Sequence, residues 1–473
     1  MTAGVTLVPI APIQNRLWFL DRLTPGTAQY NVCVGYELAG PLDQRALRTA
    51  LTEVVARHDA LRTNYLTVRG RPYAVVRPVV GEVPLPVVRL GPDAERKARA
   101  IAAAQAGTPF DLAGEPLLRA HLLAFDATRH VLVLTFHHIA VDDWSLGIVL
   151  AELGEIYAAS RAGRPLPADP PAPGYAEFAA WQRRALSPGR VAEETAYWQD
   201  VLAGASMELP TDRPRGVTAS ARGGEAPFAV PEPVAAALTA LARSDRATPF
   251  MVALTALAVL LRGRTGSPDV IVGVPVAGRP GPEFAATVGF FVNTVPVRID
   301  LSAARTFRSA LAVVRRALID ALDHSLVPFD RLVAGLGRES GTLVRVACQL
   351  LDDQPGPGEL RWHDLDVAAW DGVTASAVRT ELELHLLRGP GRLHGLACYS
   401  TDLFDAATID LLVAGYLDAL ASGVNAPDDP LPELPELREP DPAAGDAAGE
   451  AGKPPSAPVI VDMRTRRAGK EPS

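Results

Sequence analysis

The chain has 473 residues, 48% of them hydrophobic, so it can bury more than one core and is expected to form about two to three domains. Its 54 acidic and 46 basic side chains give a formal net charge of −8, which argues against binding to a phosphate backbone as its main task. We therefore expect no nucleic-acid partner. The cysteines, Cys33, Cys348 and Cys398, lie far apart, so neither a disulfide framework nor a zinc knuckle is indicated and a cytoplasmic location is expected.

The hydrophobic segments of the sequence are short. The N-terminal sequence MTAGVTLVPI has no basic region followed by a long apolar run, which a secretory signal would need. The longest apolar stretch, 250–261, is too short to cross a bilayer as a helix. The sequence therefore predicts a soluble, unsecreted protein that has no membrane partner.

The first half of the chain alternates helical and strand patterns. The spacing of apolar residues predicts helices over 14–23, 43–61, 93–106 and 146–159. Strands are predicted at 71–80, 121–126 and 130–136, and a turn at 126–129 joins the last two. The decapeptide FHHIAVDDWS, residues 136–145, is therefore expected to form the loop between a strand and a helix.

A stiff connection and a second set of elements follow. Residues 163–173 contain five prolines, too many for a helix or a central strand, and we interpret them as an interlobe connection. Further helices are predicted at 175–203, 233–244, 249–263, 306–323 and 405–422, and strands at 269–277, 290–299, 343–352, 380–388 and 393–400. The pattern predicts an α/β fold with mixed sheets. From about residue 425 the chain is rich in Pro, Glu, Asp and Ala, which predicts a disordered tail over 425–473.

The loop FHHIAVDDWS sets two of the nine histidines side by side and follows them with two aspartates. Adjacent side chains of a strand point to opposite faces, so only one of His137 and His138 can serve a small site. A metal is not expected, because no HExxH pattern or Cys/His cluster supplies a third ligand. The patterns GxSxG, P-loop and GxGxxG are missing too. Two interpretations stay open: one histidine acts as a base or hydrogen-bond anchor, or both only pack at a strand end.

The same stretch resembles the HHxxxDG motif of the acyltransferase superfamily that includes chloramphenicol acetyltransferase and the condensation domains of nonribosomal peptide synthetases. Six further segments are similar to condensation-domain motifs and occur in the same order. They are PIQNRLWFL, RHDALRTNY, YAEFAAWQ, VGFFVNTVPVR, HSLVPFDRLV and YSTDLFD at 12–20, 57–65, 175–182, 288–298, 324–333 and 399–405. This ordered resemblance, from about residue 8 to about residue 422, outweighs the interpretation that the histidines only pack.

The resemblance implies two chloramphenicol acetyltransferase-like lobes that meet in a V around a central tunnel. The N-terminal lobe would span 1–170 and carry the histidine motif, and the C-terminal lobe would span 171–424. Carrier proteins would bring a thioester donor to one mouth of the tunnel and an amine to the other, both on 4′-phosphopantetheine. The acyltransferase would form an amide, or an ester if the acceptor is an alcohol, and would bind no cofactor of its own.

The resemblance also implies roles for residues of the histidine motif. His138 would face the tunnel and either take the proton of the amine or position the amine, since a neutral imidazole suits both tasks. His137 would be structural. Asp142 would point away from the tunnel and form a partly buried ion pair with Arg62.

Four further positions flank this centre. Trp144, Ser145 and Asn293 are predicted to line the tunnel or to bridge the lobes. Asp143 stands where the family has glycine, which puts the backbone geometry of the loop in question. Asp tolerates glycine-like conformations and can serve exposed helix N–H groups, so we expect a structural role. The other interpretation is a second carboxylate beside the tunnel, which would raise the pKa of His138.

Two other segments depart from the family pattern. The RDxSRxPL region reads GRESGTLVRVACQLL, in which only Arg338 and Ser340 are plausible remnants. The segment VRTELELHL, 378–386, lacks the aromatic-Asp pair that often occurs there. These departures predict an unusual preference for the donor or the acceptor.

The sequence has no adenylation motif and no carrier-type GGxS serine. The enzyme is therefore expected to be freestanding and to act in trans with carrier proteins and other synthetase modules. An alternative from another class is a non-catalytic condensation-like module that recruits a carrier protein or a tailoring enzyme. Recruiters of this family have usually lost the motif histidine, so the presence of His138 favours catalysis.

Overall fold

A computed structural model of the chain describes residues 7–78, 81–168, 172–216, 222–337, 343–352, 360–373, 378–389 and 392–431. These residues lie in one compact unit, Met1–Leu437. The helices are α1 Asn15–Leu23, α2 Gln44–Arg57, α3 Ala94–Gly107, α4 Asp143–Arg161, α5 Tyr175–Ala185, α6 Pro188–Val201, α7 Glu232–Ser244, α8 Pro249–Thr265, α9 Phe307–Asp323, α10 Phe329–Gly335 and α11 Ala406–Asn425. The strands are β1 Leu7–Pro9, β2 Asn31–Ala39, β3 Thr63–Val68, β4 Arg71–Val76, β5 Val87–Arg89, β6 Leu118–Ala124, β7 Arg129–His137, β8 Gly223–Val230, β9 Asp269–Val276, β10 Asn293–Asp300, β11 Val346–Asp352, β12 Leu360–Trp362, β13 Leu365–Ala369, β14 Leu382–Gly389 and β15 Arg392–Ser400.

A six-stranded sheet in the order β12-β13-β2-β7-β6-β5 carries the histidine loop at the end of its central strand β7. All of β7 after Arg129 is buried, as expected for a strand that is covered on both faces. Leu132, Leu134 and Phe136 pack with residues of α2 and α4. Val131 and Val133, which alternate with them, pack with Ala98 and Ala102 of α3.

The hairpin of β6 and β7 confirms the two strands and the turn that the sequence predicted. The strands pair antiparallel, with Leu118 opposite Phe136. In the turn, Asp126 Oδ1 accepts hydrogen bonds from the backbone N–H groups of Thr128 and Arg129, both at 2.8 Å. A short acidic side chain that caps its own turn in this way favours a tight connection.

Two strands from the second half of the chain complete the same sheet. Strand β13 pairs antiparallel with the outer edge of β2, and β12 pairs with β13. Trp362 of β12 is 2% exposed and packs with Tyr157 of α4, at 6.3 Å between ring centres. The predicted C-terminal lobe, 171–424, thus contributes strands to the sheet of the first half. The division into lobes at residue 170 stays a prediction.

A second six-stranded sheet has the order β10-β9-β11-β14-β15-β8. Strand β11 runs parallel to β9 and β14, and the other pairs are antiparallel, so the sheet is mixed as predicted. Residues Leu382, Leu384 and Leu386 of β14 belong to a large apolar core with α7, α8, α9 and α11. Residues Glu383 and His385 alternate with them and therefore point to the opposite face of the sheet.

The helix predicted at 175–203 is two helices, α5 and α6. The break lies at Ser187, which caps α6 by accepting the Arg190 N–H at 3.4 Å. Pro188 follows as the first residue of α6, a position where a missing N–H costs nothing. The small third sheet, β1-β4-β3, contains the strand predicted from residue 71 onward.

Helix α11 is the one helix among the described residues that is long and apolar enough to cross a membrane on its own, and α7 with α8 would pass only as one span bent by 108°. Residues Ile409, Leu412 and Tyr416 of α11 are buried in the core that covers the second sheet. The core helix of a soluble protein passes the same test of length and hydropathy, so one such helix is weak evidence of a membrane span.

The predicted tail begins with ordered residues. The Pro427 carbonyl accepts the Arg308 N–H at 2.8 Å, and the Asp428 carboxylate pairs with the Arg308 side chain at 2.7 Å. Leu431 donates its N–H to the Arg305 carbonyl at 3.0 Å. Disorder is therefore wrong for residues 425–431, because these contacts fix the chain beside α9. The rest of the predicted tail lies outside the described residues.

Candidate active site

The chain leaves the first sheet directly after His137 and turns into α4 within five residues. His138 donates its N–H to the Tyr30 carbonyl at 2.8 Å, and the Ala140 N–H bonds to the His137 carbonyl at 2.9 Å. The carboxylate of Asp142 then caps α4 by accepting the Ser145 N–H at 2.8 Å. These hydrogen bonds fix the backbone of the loop and cap the helix that follows it. Residues 138–142 therefore form the strand-to-helix loop that the sequence predicted.

The two histidines point to different surroundings and hold different tautomers. His137 Nδ1 accepts the Ile139 N–H at 3.1 Å, and its ring packs beside Tyr30 and Phe110. His138 Nδ1 lies 2.7 Å from the Val141 carbonyl oxygen. Because a carbonyl oxygen only accepts, His138 Nδ1 carries the proton and Nε2 keeps its lone pair.

Burial keeps both imidazoles neutral. It lowers the pKa of His137 from 6.5 to about 3. For His138, burial is again the largest cause of a pKa of about 3, and the nearby positive charge of Arg379 lowers it further, whereas the bond to Val141 opposes the change. A charged imidazolium would lose its hydration without gaining an acidic partner. His138 therefore presents a hydrogen-bond acceptor at physiological pH.

His138 lies on a cavity of about 830 Å³ that is lined by residues from both halves of the chain. Other residues of its wall are Tyr30, Phe290, Asn293 and Arg379, and the His138 ring meets the Phe290 ring edge to face at 5.0 Å between centres. His137 is not among the residues that line the cavity. This arrangement agrees with the strand argument that only one of the two histidines serves a site.

Asp142 is the centre of a buried polar cluster behind the cavity. Its Oδ1 accepts from the Ser145 hydroxyl at 2.6 Å and from Arg279 Nη2 at 3.3 Å, and its Oδ2 accepts the Phe291 N–H at 3.1 Å. Burial raises the pKa of the Asp142 carboxyl, while Arg279 and the hydrogen bonds oppose the rise. The cluster joins the start of α4 to the segment that leads into β10.

The predicted ion pair between Arg62 and Asp142 is wrong. Arg62 donates to the carbonyl oxygens of Arg77 at 2.8 Å and Ala56 at 3.3 Å, and its side chain supports the start of β3 instead. Arg279 takes its place, with its guanidinium 3.9 Å from the centre of the Phe291 ring. Gly278 allows this approach: its φ is +61°, and a Cβ there would lie 2.0 Å from the Phe291 carbonyl oxygen.

The profile of the condensation domain matches residues 5–440 of this chain. The chain belongs to the condensation-domain family. The phosphinothricin tripeptide synthetase PhsC from Streptomyces viridochromogenes is 36% identical over 417 residues, which cover 86% of this chain and 38% of that protein. Malpibaldin synthetase from Mortierella alpina is 37% identical over 419 residues, which cover 86% of this chain and 7% of that protein.

The chain thus spans less than half the length of either synthetase. The similarity to peptide synthetases links this condensation domain to nonribosomal peptide biosynthesis. In that process the family forms amide bonds from carrier-bound substrates.

Solved structures support the same assignment. SgcC5 from Streptomyces globisporus aligns with a TM-score of 0.74 at 30% identity, over 89% of this chain and 100% of that one. The X-domain in its complex with OxyB from teicoplanin biosynthesis aligns with a TM-score of 0.79 at 27% identity, over 92% of this chain and 97% of that one. Both alignments cover nearly the whole of the solved chain, so the fold of this chain matches theirs from end to end.

Motifs that lie far apart in the sequence converge on the histidine loop of this condensation domain. Gln14 of the motif PIQNRLWFL donates through Nε2 to the Ile139 carbonyl at 2.9 Å and to the Tyr65 hydroxyl at 2.8 Å. Tyr175 of the motif YAEFAAWQ donates its hydroxyl to the Phe290 carbonyl. The motifs therefore hold both the loop and the facing wall of the cavity in place.

Asn293, the first residue of β10, lies on the cavity wall and organises the loop that follows α9. Its Nδ2 donates to the carbonyl oxygens of Ser325 at 2.8 Å and Val327 at 2.9 Å. Its Oδ1 accepts the Phe329 N–H at 3.0 Å. With both ends of the amide satisfied by backbone groups, Asn293 supports the cavity wall and is not available to a substrate.

Trp144 and Ser145 connect α4 to the segment before β10 and are not among the residues that line the cavity. Trp144 Nε1 donates to the Ala285 carbonyl at 2.9 Å, while its ring is 54% exposed. The Ser145 hydroxyl accepts the Gly289 N–H at 3.1 Å. Both residues therefore connect α4 to the segment before β10, and a bridge between two lobes stays a prediction.

Asp143 is an exposed residue in the first turn of α4, with helical backbone and no place in the cavity wall. The change Asp143→Gly should lower stability by only about 0.5–1 kcal/mol, because glycine weakens a helix and the first turn loses a favourable charge. Turnover should stay near the wild-type value across pH. A loss of turnover, or a pH profile moved towards acid, would mean that this carboxylate acts in the chemistry after all; Asp143→Asn separates the charge from the backbone effect.

The neutral histidines predict how stability depends on pH. The unfolded chain takes up protons on both imidazoles below about pH 6.5, whereas the folded chain resists until about pH 3, so the free energy of unfolding decreases as the pH falls between these values. At pH 5 each histidine should lower the free energy of unfolding by about 2 kcal/mol relative to its value at pH 7. Denaturant unfolding at pH 7 and pH 5 measures this loss.

The variant His137→Asn is the matched control for this prediction. The Asn oxygen can accept the Ile139 N–H in place of Nδ1 but takes up no proton. The variant should therefore lose less stability than the wild type between pH 7 and pH 5. Equal losses in both proteins would show that His137 does not carry the effect.

Proposed function

We propose that this condensation domain joins a carrier-bound acyl or aminoacyl thioester to an amine, with His138 as the residue that receives the amine. The observation that carries the proposal is the orientation of His138 on the cavity, with Nδ1 bound to Val141 and the lone pair of Nε2 free. Attack of the amine on the thioester carbonyl forms the C–N bond, breaks the C–S bond, and moves one amine proton to the departing thiolate. A hydroxyl acceptor would give an ester by the same route.

The electrostatics favour a positioning role over that of a strong base. An efficient general base has a pKa near the working pH, whereas burial lowers the pKa of His138 to about 3. Such an imidazole accepts a hydrogen bond but holds a full proton only briefly. We propose that Nε2 orients a neutral amine and relays its proton to the thiolate as the C–S bond breaks.

The partners follow from the family. Condensation domains act on carrier-bound substrates, so we propose that carrier proteins deliver both substrates on 4′-phosphopantetheine, with other synthetase modules as their source. The domain itself would need no cofactor. We also propose that it works in the cytoplasm.

A second candidate function is recruitment without catalysis. The similarity to the X-domain that was solved in complex with OxyB favours it. The retained, oriented His138 favours catalysis, since a docking surface has no use for a buried neutral imidazole in a cavity.

Intact mass spectrometry of loaded carrier proteins tests the two functions. The wild-type domain should transfer the acyl group from the donor carrier and add its mass to the acceptor carrier or to a free amine. Recruitment alone predicts that a carrier or tailoring enzyme binds while every mass stays unchanged. Absence of transfer with every loaded carrier protein and amine in the assay, while a carrier or tailoring enzyme still binds, would contradict the catalytic proposal.

A further inference from the structure

Among the described residues, five arginines line the cavity: Arg16, Arg215, Arg222, Arg345 and Arg379. The acidic residues of its wall are Asp330, Glu381 and Asp402, so the wall carries more positive than negative charge. Arg215 and Arg345 both bind Glu381, at 2.7 Å and 2.5 Å. Arg222 binds Asp402 at 2.9 Å. These pairs give three of the five arginines an acidic partner, and the charge of Arg16 acts on Asp330 of the same wall.

The side chain of Arg379 is different. It makes no hydrogen bond and no ion pair with the residues that the structure describes, although its backbone is fixed by the Glu383 carboxylate, which accepts the Arg379 N–H at 2.6 Å. The same Oε1 of Glu383 accepts the Thr380 N–H at 3.1 Å, and its Oε2 lies 3.1 Å from His385 Nε2. Glu383 therefore receives its hydrogen bonds from backbone N–H groups and from His385, and the positive charge of Arg379 is a further cause that lowers the pKa of its carboxyl. The exposed side chain of Arg379 lies on the cavity wall without a hydrogen bond or an ion pair to the described residues.

Arg379 also lies within electrostatic reach of His138. Its charge is the largest cause after burial that lowers the pKa of the His138 imidazole. Both residues line the same cavity, where the positive charge of Arg379 disfavours a protonated substrate unless an anion accompanies it. A guanidinium is a planar fork of donors that fits the two oxygens of a carboxylate.

We propose that Arg379 binds a carboxylate on the substrate group that reaches His138, so that this condensation domain takes an acidic donor or acceptor. The inference rests on the proposed function, because it assumes that substrates enter this cavity. The carboxylate has three possible sources: a free amino acid, the side chain of a carrier-bound acceptor, or a dicarboxylic donor. The sequence segment VRTELELHL, which departs from the family pattern, supplies this arginine.

Three pairs of probes distinguish these sources by titration calorimetry. They are L-alanine and L-alaninamide, aminopantetheine amide-linked to aspartate or to asparagine, and aminopantetheine amide-linked to succinate or to succinamate. In at least one pair the carboxylate should bind wild-type protein about tenfold more tightly than its neutral partner, the effect of a charged hydrogen bond reduced by solvent screening. The pair that responds identifies the source.

Two variants test whether Arg379 itself makes the difference. Arg379→Gln should remove the preference for the carboxylate probe. Arg222→Gln removes the same charge from the same cavity where it is paired with Asp402, and should keep most of the preference. The proposal is overturned if no carboxylate probe binds wild-type protein more tightly than its neutral partner, or if both variants lose the preference equally.

A third variant separates this inference from the proposed function. His138→Ala should lose condensation but keep the carboxylate preference, because binding to Arg379 does not need the imidazole. Preference without any turnover in the wild type would therefore contradict catalysis and leave the Arg379 site intact. Turnover without a preference for the carboxylate probe would support catalysis and contradict the Arg379 site.

Discussion

Replacing His138 with alanine is expected to lower the rate of condensation by about 10² to 10⁴, the usual contribution of a residue that handles the proton of the nucleophile. The change removes the Nε2 lone pair from the cavity and the bond from Nδ1 to the Val141 carbonyl. The fold should persist, because two backbone hydrogen bonds also hold the loop: the N–H of residue 138 donates to the Tyr30 carbonyl, and the Ala140 N–H donates to the His137 carbonyl. Single-turnover transfer between loaded carriers, followed by intact mass, measures the rate.

The matched control is His137→Ala. This histidine is equally buried but lies beside Tyr30 and Phe110, where its ring only packs and accepts the Ile139 N–H. Its loss should reduce stability or expression while the soluble fraction keeps its turnover. Turnover of His138→Ala close to that of the wild type would remove the catalytic assignment.

Truncating either Asp142 or Arg279 should produce the largest loss of stability in this condensation domain. The two side chains are almost fully buried, and removing either one would leave the charge of the other without a partner. The expected loss is about 3 to 5 kcal/mol in the free energy of unfolding for each single change. The double variant Asp142→Ala with Arg279→Met should lose less than the sum of the single changes, because it removes both charges. Urea unfolding of the four proteins measures the coupling.

Arg62 supplies the control for this cycle. It binds only the carbonyl oxygens of Ala56 and Arg77 among the described residues, so Arg62→Ala combined with Asp142→Ala should give additive losses. Coupling between Arg62 and Asp142, or additivity between Arg279 and Asp142, would contradict the contacts seen in the structure.

Local patterns in the sequence were sufficient for much of the fold and for the central residue. The alternation and length of the apolar runs predicted β6, β7 and most of the helices, since these periods follow from backbone geometry alone. They did not predict α10 or the break between α5 and α6. The same alternation, with the resemblance to condensation domains, separated His138 from His137. Both predictions depend on residues that are close in the sequence.

The sequence by itself determined the family, the strand-to-helix loop and the histidine that lies on the cavity. Only the tertiary structure decided that Arg279 pairs with Asp142, that β12 and β13 complete the first sheet, and that the Arg379 side chain reaches the cavity of His138 without a hydrogen bond or ion pair to the described residues. These features join segments that lie more than a hundred residues apart in the sequence. The local spacing of apolar residues does not indicate which of the many arginines will contact a given carboxylate or cavity. The choice of Arg279 depends on a close approach of the backbone. Because Gly278 has no Cβ, the chain can pass against the Phe291 carbonyl, and this brings Arg279 to the buried carboxylate of Asp142.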